Sequence, residues 1–217
     1  MKYGISVYLT HDFTLEQNIA YIKKARALGY DMVFTSMHLP EVNYSKIMDE
    51  FQAVASVTKD ECMELISDIS AHSMQTLQAS YKHLKPFSDI GITTLRADYG
   101  FTKSELVTMS HNEDGLKLQI NASTVTKDEL EELEDLQADF EKITACHNFY
   151  PKPYTGLSYK TFLEKSQLMK EYGMPIYTFI PSQKGKRGPI YEGLPTLEMH
   201  RNLAASLAAK HLAATGI

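Results

Sequence analysis

Apolar residues in this chain alternate between two spacings. Short β-branched and aromatic runs at 3–9, 31–37, 63–69, 92–97, 116–121, 142–147 and 175–180 predict strands. Stretches with apolar positions three and four apart separate them and predict helices at 14–28, 45–59, 73–83, 102–110, 127–138 and 158–172, with a last, Ala-rich helix at 195–214. In the first of these, Leu15, Ile19, Ile22, Ala25 and Leu28 share a face, Thr14 and Gln17 read as a capping box, and Gly29 marks the end. Gly173 does the same after 158–172. The pattern is seven β-α units with short connections, which predicts a parallel sheet with helices outside it.

Two α/β architectures use such units. An open doubly wound sheet usually carries a Gly-rich first turn, and here the first strand runs into Thr10-His11-Asp12. A (β/α)₈ barrel is therefore expected, apparently lacking strand eight, because the chain stops at Ala213-Ala214-Thr215-Gly216-Ile217. Open edges on its first and seventh strands would favour pairing, so a homodimer is an open expectation.

The polar residues add chemistry to this outline. Apolar runs end in Ser67-Asp68, Ala97-Asp98, Ile120-Asn121 and Cys146-His147-Asn148. Strand C-termini of a barrel open on one face, where active sites lie, so these groups mark a candidate site. Schiff-base aldolase chemistry needs a lysine at such a position, and strands five to seven end in Asn121, Asn148 and Pro181.

Bulk properties narrow the partners. In 217 residues the hydrophobic fraction is 43%, the charged fraction 23% and the formal charge −5, ordinary for a globular protein and unlike a general nucleic-acid binder. No apolar stretch is long enough for a bilayer span, and Met1-Lys2-Tyr3-Gly4 enters a strand without a signal-peptide core, so a cytoplasmic protein with no membrane partner is expected. Cys62 and Cys146 are too far apart in sequence for a cysteine zinc motif and are expected to be reduced structural thiols.

The segments Gly4-Ile5-Ser6-Val7-Tyr8, Leu95-Arg96-Ala97-Asp98-Tyr99-Gly100-Phe101, Cys146-His147-Asn148-Phe149-Tyr150-Pro151, Tyr154-Thr155-Gly156-Leu157-Ser158 and Glu192 through Arg201 resemble the MupG family of bacterial 6-phospho-N-acetylmuramidases, in order and over essentially the whole chain. The resemblance implies a (β/α)₈ barrel followed by a smaller β-rich C-terminal domain that residues 1–217 do not contain. It also implies hydrolysis of the β-1,4 bond of MurNAc-6-phosphate–GlcNAc, the phosphorylated amino-sugar disaccharide partner. No cofactor is expected, and no metal held by His147 with Asp68 and Asp98, because the chain lacks a paired-His motif such as HExxH. A sugar-phosphate lyase or isomerase, and a non-catalytic sugar-phosphate-binding fragment, are the alternatives.

Glycoside hydrolysis normally uses two carboxyl groups. Asp98, at a strand end within the matching segment, and Glu192, in the loop after the seventh strand, are the expected catalytic pair. Glu198 reads instead as a carboxylate favoured by the first turn of a helix opened by Pro195. Asp68, Asn121, His147 and Asn148 are expected to orient the sugar, and Tyr154 to stack on it. Ser182, Lys184, Lys186 and Arg187 follow the seventh strand, where barrels often bind phosphate, and supply a hydroxyl and three cations for it. The acidic run from Glu129 to Asp135 reads as a solvated helix face.

Overall fold

A computed structural model describes residues 1–9, 12–37 and 44–217; Thr10 and His11, into which the first predicted strand runs, lie outside the described residues. In chain order the elements are β1 (Gly4–Ser6), α1 (Leu15–Ala27), β2 (Met32–Ser36), α2 (Tyr44–Asp60), β3 (Glu64–Ile69), α3 (Ala71–Thr76), α4 (Lys85–Asp89), β4 (Thr94–Ala97), α5 (Lys103–Ser110), β5 (Lys117–Asn121), α6 (Lys127–Asp135), β6 (Ile143–Cys146), α7 (Tyr159–Glu171), β7 (Ile176–Tyr177) and α8 (Ala205–Ala214). The strands form one sheet in the order β1-β2-β3-β4-β5-β6-β7, and the registered pairs are parallel. This is the βα succession of a (β/α)-barrel, with no eighth strand among the described residues.

The chain divides into two compact units. One is Met1–Gln119 with Glu132–Lys142, the other Ile120–Glu131 with Ile143–Ile217. In the first, register explains both core and polar surface. Val33 pairs with Leu65, and Ser67, Leu95 and Leu118 follow one another across β3, β4 and β5. Neighbours in parallel register share a face, and Val33, Leu65, Leu95 and Leu118 are at most 1% exposed. Burying each such side chain favours folding by about 1.5–3 kcal/mol. The alternate face carries another row, Ser36, Asp68, Arg96 and Gln119, at the C-terminal ends of four strands. In the second unit Phe162, Leu197 and Leu212 form a cluster, with Leu157, Leu163, Ile180 and Ile217 packed on it.

Helix starts follow local chemistry. Thr14 accepts from Gln17 N while the Gln17 side chain accepts from Thr14 N, and Thr102 and Glu105 repeat the device on α5. Each cap is worth about 1 kcal/mol. Gly29 (φ +85°) and Gly173 (φ +71°) follow α1 and α7 in the left-handed conformation open to glycine.

Three expectations need correction. The helix expected at 73–83 stops at Thr76 and the next begins only at Lys85, because Gln78 has φ +52° and Ser80 and His83 exchange both backbone hydrogen bonds in a tight turn. The seventh strand is only Ile176–Tyr177; Phe179 turns to Thr196, which donates its N–H to Phe179 O and accepts from Phe179 N on its hydroxyl. The helix at 195–214 is broken for the same reason: Leu197 bridges Leu157 in parallel, a 3₁₀ turn occupies Glu198–His200, and only α8 is α-helical. Both cysteines are free thiols, Cys146 buried and Cys62 exposed.

Candidate functional site

In the first unit the polar row centres on Arg96. Its side chain is 3% exposed, and its guanidinium lies 2.7 Å from Asp68 Oδ1 through Nη1 and 3.0 Å from Asp98 Oδ1 through Nη2. Asp98 lies two residues beyond Arg96 and returns to the same side of the chain, which the 3.0 Å contact records. The carboxylates are not equivalent: Asp68 is 15% exposed and Asp98 33%. Asp98 is the one with surface left for a ligand. Arg96 is not among the site residues expected from the sequence. The missed signal was the period of two from Arg96 to Asp98 at one strand end, with Asp68 at a neighbouring strand end.

In the second unit Ser123 joins three predicted residues. Ser123 Oγ accepts from Asn148 N (2.9 Å) and lies 3.3 Å from His147 Nδ1, and Ser123 N donates to Asn121 Oδ1 (3.0 Å). The other ring nitrogen, Nε2, lies 2.9 Å from Ser166 Oγ, so a neutral His147 ring donates to one serine hydroxyl and accepts from the other. His147 has no exposed surface and its ring lies 4.8 Å from that of Phe162. Burial, and then the charge of Lys165, push its pKa from 6.5 down to about 4. A buried neutral ring with both nitrogens against protein hydroxyls has no atom left for a sugar. The expected direct contact with the sugar thus finds both ring nitrogens of His147 already facing Ser123 and Ser166. Ser123, which the sequence reading missed, carries no signal beyond lying two residues past a strand end.

A depressed histidine pKa has a thermodynamic consequence. The unfolded chain takes up this proton near pH 6.5 and the folded chain only near 4, so the stabilisation is complete above 6.5 and is lost as pH falls toward 4. The full difference amounts to about 3 kcal/mol. Urea unfolding at pH 7 and pH 4.5 is expected to show a smaller stability loss in His147→Gln than in the unsubstituted chain. Equal losses would place the acid sensitivity elsewhere.

The loops after β6 and β7 carry the other candidates. Tyr154 is 93% exposed with φ +66°, a conformation uncommon for a residue with a side chain. Its N–H donates to Glu198 Oε1 (2.9 Å), and Gly156 N donates to Glu198 Oε2 (2.8 Å). Glu198 is paired in turn with Arg201 at 2.7 Å through Nε and Nη2. Arg201 also donates to the carbonyls of Tyr150, Lys152 and Gly193. The Arg201 guanidinium, and then the two backbone N–H donors, hold the Glu198 pKa down at about 2. Glu198 is thus structural, as the sequence suggested, although its partner is Arg201 where a helix dipole was expected.

Ser182 and Lys184 form a small turn: the Ser182 hydroxyl donates to Lys184 O and accepts from Lys184 N. Ser182, Gln183, Lys184 and Gly185 are exposed, Lys186 and Arg187 half-buried. Glu192 is exposed beside Tyr191, another aromatic with positive φ (+57°). Among the described residues no group of three or more His, Cys, Asp or Glu could hold a metal ion, and no helix is long and apolar enough to cross a membrane.

These strand-end and loop residues sit in segments that other proteins share. The family model described as 6-phospho-N-acetylmuramidase, N-terminal, matches residues 3–217. The chain belongs to this family. Among solved structures it is similar to a conserved Enterococcus faecalis protein of unknown function, with 40% identity and a TM-score of 0.81 over 92% of this chain and 54% of that one. It is also similar to an uncharacterized B. cereus protein, with 37% identity and a TM-score of 0.84 over 99% of this chain and 58% of that one. The chain thus spans little more than half the length of these two proteins. An HpcH/HpaI aldolase from Desulfitobacterium hafniense shares the fold alone, at 10% identity and a TM-score of 0.55. No curated protein matches the chain.

Proposed function

We propose that this chain is the barrel part of a glycosidase that hydrolyses MurNAc-6-phosphate–GlcNAc to MurNAc-6-phosphate and GlcNAc in the recycling of cell-wall sugars. The observation that carries the reading is the family match over residues 3–217. The pairing of Asp68 and Asp98 around a buried arginine at strand ends supports it, because (β/α)-barrels place their chemistry there.

Hydrolysis consumes one water: its oxygen joins the muramyl anomeric carbon, and a proton goes to the GlcNAc oxygen as the glycosidic bond breaks. The reaction asks for one carboxyl group as acid and one as base or nucleophile. Asp98 and Glu192 are the proposed pair, in either assignment. Asn121 and Asn148 are the proposed sugar-binding amides, held in place by Ser123 and His147. Tyr154 is the proposed stacking surface. Ser182, Lys184, Lys186 and Arg187 are the proposed phosphate loop, where arginine can bind two phosphate oxygens at once.

The test is selectivity for the phosphate. Folded protein is incubated with MurNAc-6-phosphate–GlcNAc and, separately, with the unphosphorylated disaccharide, and released GlcNAc is measured by mass spectrometry. Cleavage of the phosphorylated sugar alone is expected, and Lys184→Ala with Arg187→Ala is expected to raise KM by about tenfold or more, since a charge-assisted hydrogen bond contributes about 1.5–3 kcal/mol. Equal cleavage of both sugars would overturn the phosphate assignment. Cleavage of neither, by this chain or by one extended to the length of its relatives, would overturn the activity.

A further inference from the structure

We infer that Glu198 and Arg201 are positioning residues that preset the loop after β6 for ligand, displaying Tyr154 before any ligand arrives; this rests on the sugar-binding reading of that loop. An exposed tyrosine is ordinarily free to choose a relaxed backbone. Tyr154 is 93% exposed and yet sits at φ +66°. Such strain, on the order of 1 kcal/mol or more, persists only where surrounding structure over-determines it. Here the determinant is specific. The Glu198 carboxylate takes the N–H groups of Tyr154 and Gly156, one on each oxygen, and the 5%-exposed Arg201 fixes the carboxylate.

Gly156 completes the device. A Cβ built there would lie 2.7 Å from Glu198 Oε2 and 2.8 Å from Glu198 N, so the loop approaches the carboxylate as closely as glycine allows. Arg201 joins this loop to the next one, because its guanidinium also donates to Gly193 O, one residue beyond Glu192. One ion pair, its arginine buried and its carboxylate 27% exposed, therefore ties together two loops that carry candidate ligand groups. A loop ordered in advance loses less freedom on binding, which favours affinity over turnover.

The experiment compares Glu198→Gln, Tyr154→Asn and the double variant. Asparagine tolerates the left-handed backbone while removing the ring. On the phosphorylated disaccharide, Glu198→Gln is expected to raise KM about tenfold with kcat within about threefold, a change of about 1.4 kcal/mol. Tyr154→Asn is expected to raise KM comparably, and the double variant no further. Amide hydrogen exchange at Tyr154 and Gly156 is expected to quicken at least tenfold in Glu198→Gln, with β6 unchanged. A fall in kcat at constant KM, multiplying KM effects or unchanged exchange would each overturn the inference.

If the unsubstituted protein cleaves nothing, the activity reading fails separately. The positioning role is then decided by the same exchange measurement and by calorimetric binding of MurNAc-6-phosphate, expected to weaken about tenfold in Glu198→Gln; an unchanged Kd overturns it. Glu198→Asp, which keeps the charge and shortens the reach, serves the same comparison should the Gln variant not fold.

Discussion

Replacing Arg96 by Met is expected to destabilise the fold by about 3–5 kcal/mol, the range for removing one member of a buried ion pair. Arg96 is 3% exposed and stands between two carboxylates at 2.7 and 3.0 Å, so its removal leaves two negative charges facing each other with the cation gone. Asp68, at 15% exposure, has little water to turn to. The methionine fills the space of the arginine stem, so a void contributes little and the change reports the charge. Urea unfolding followed by circular dichroism measures it, and a thermal midpoint lower by on the order of 10 °C is the corresponding shift for a chain of this size. Restoring balance with Asp68→Asn in the Arg96→Met background is expected to recover part of the loss. A loss under about 1 kcal/mol, the range of solvated surface pairs, would show that solvent already screens the cluster.

Asp98→Asn is expected to reduce turnover of the phosphorylated disaccharide by about 10²–10⁴-fold, the range for loss of one acid–base group. Substrate affinity is expected to stay within a few-fold and stability to change little, because the substitution is isosteric, Arg96 keeps Asp68 at 2.7 Å, and Asp98 is already one-third exposed. These two substitutions therefore separate the parts proposed for the cluster, stability for Arg96 and chemistry for Asp98. Single-turnover mass spectrometry with calorimetric binding distinguishes a lost chemical step from lost binding. Near-normal turnover in Asp98→Asn would remove this residue from the mechanism and leave Asp68 as the strand-end carboxylate to test.

The fold was legible because its information is local. Each strand and most helices announce themselves through spacing, and Thr14, Thr102, Gly29 and Gly173 mark ends through side-chain or backbone chemistry that depends on neighbours three or four residues away. Spacing misleads where a distant partner overrides it. Residues 195–197 look helical in sequence, but Thr196 finds Phe179 and Leu197 finds Leu157, and long-range backbone pairing drew the segment out. Gln78 broke a helix pattern with a left-handed backbone that no residue type announces.

The candidate residues divide along the same line. The sequence by itself determined which chemical groups end the strands: Asp68, Asp98, Asn121 and His147-Asn148 follow from where the apolar runs stop. It also determined the family to which those segments belong. Only tertiary structure decided what each group does with its neighbours. It placed Arg96 between two aspartates from different strands, closed His147 off between Ser123 and Ser166, and gave Glu198 to Arg201 and two backbone N–H groups 42 and 44 residues earlier. The physical reason is range. Periodicity and capping act within a turn or a strand, whereas burial and ion pairing arise from atoms that meet only once the strands are in register.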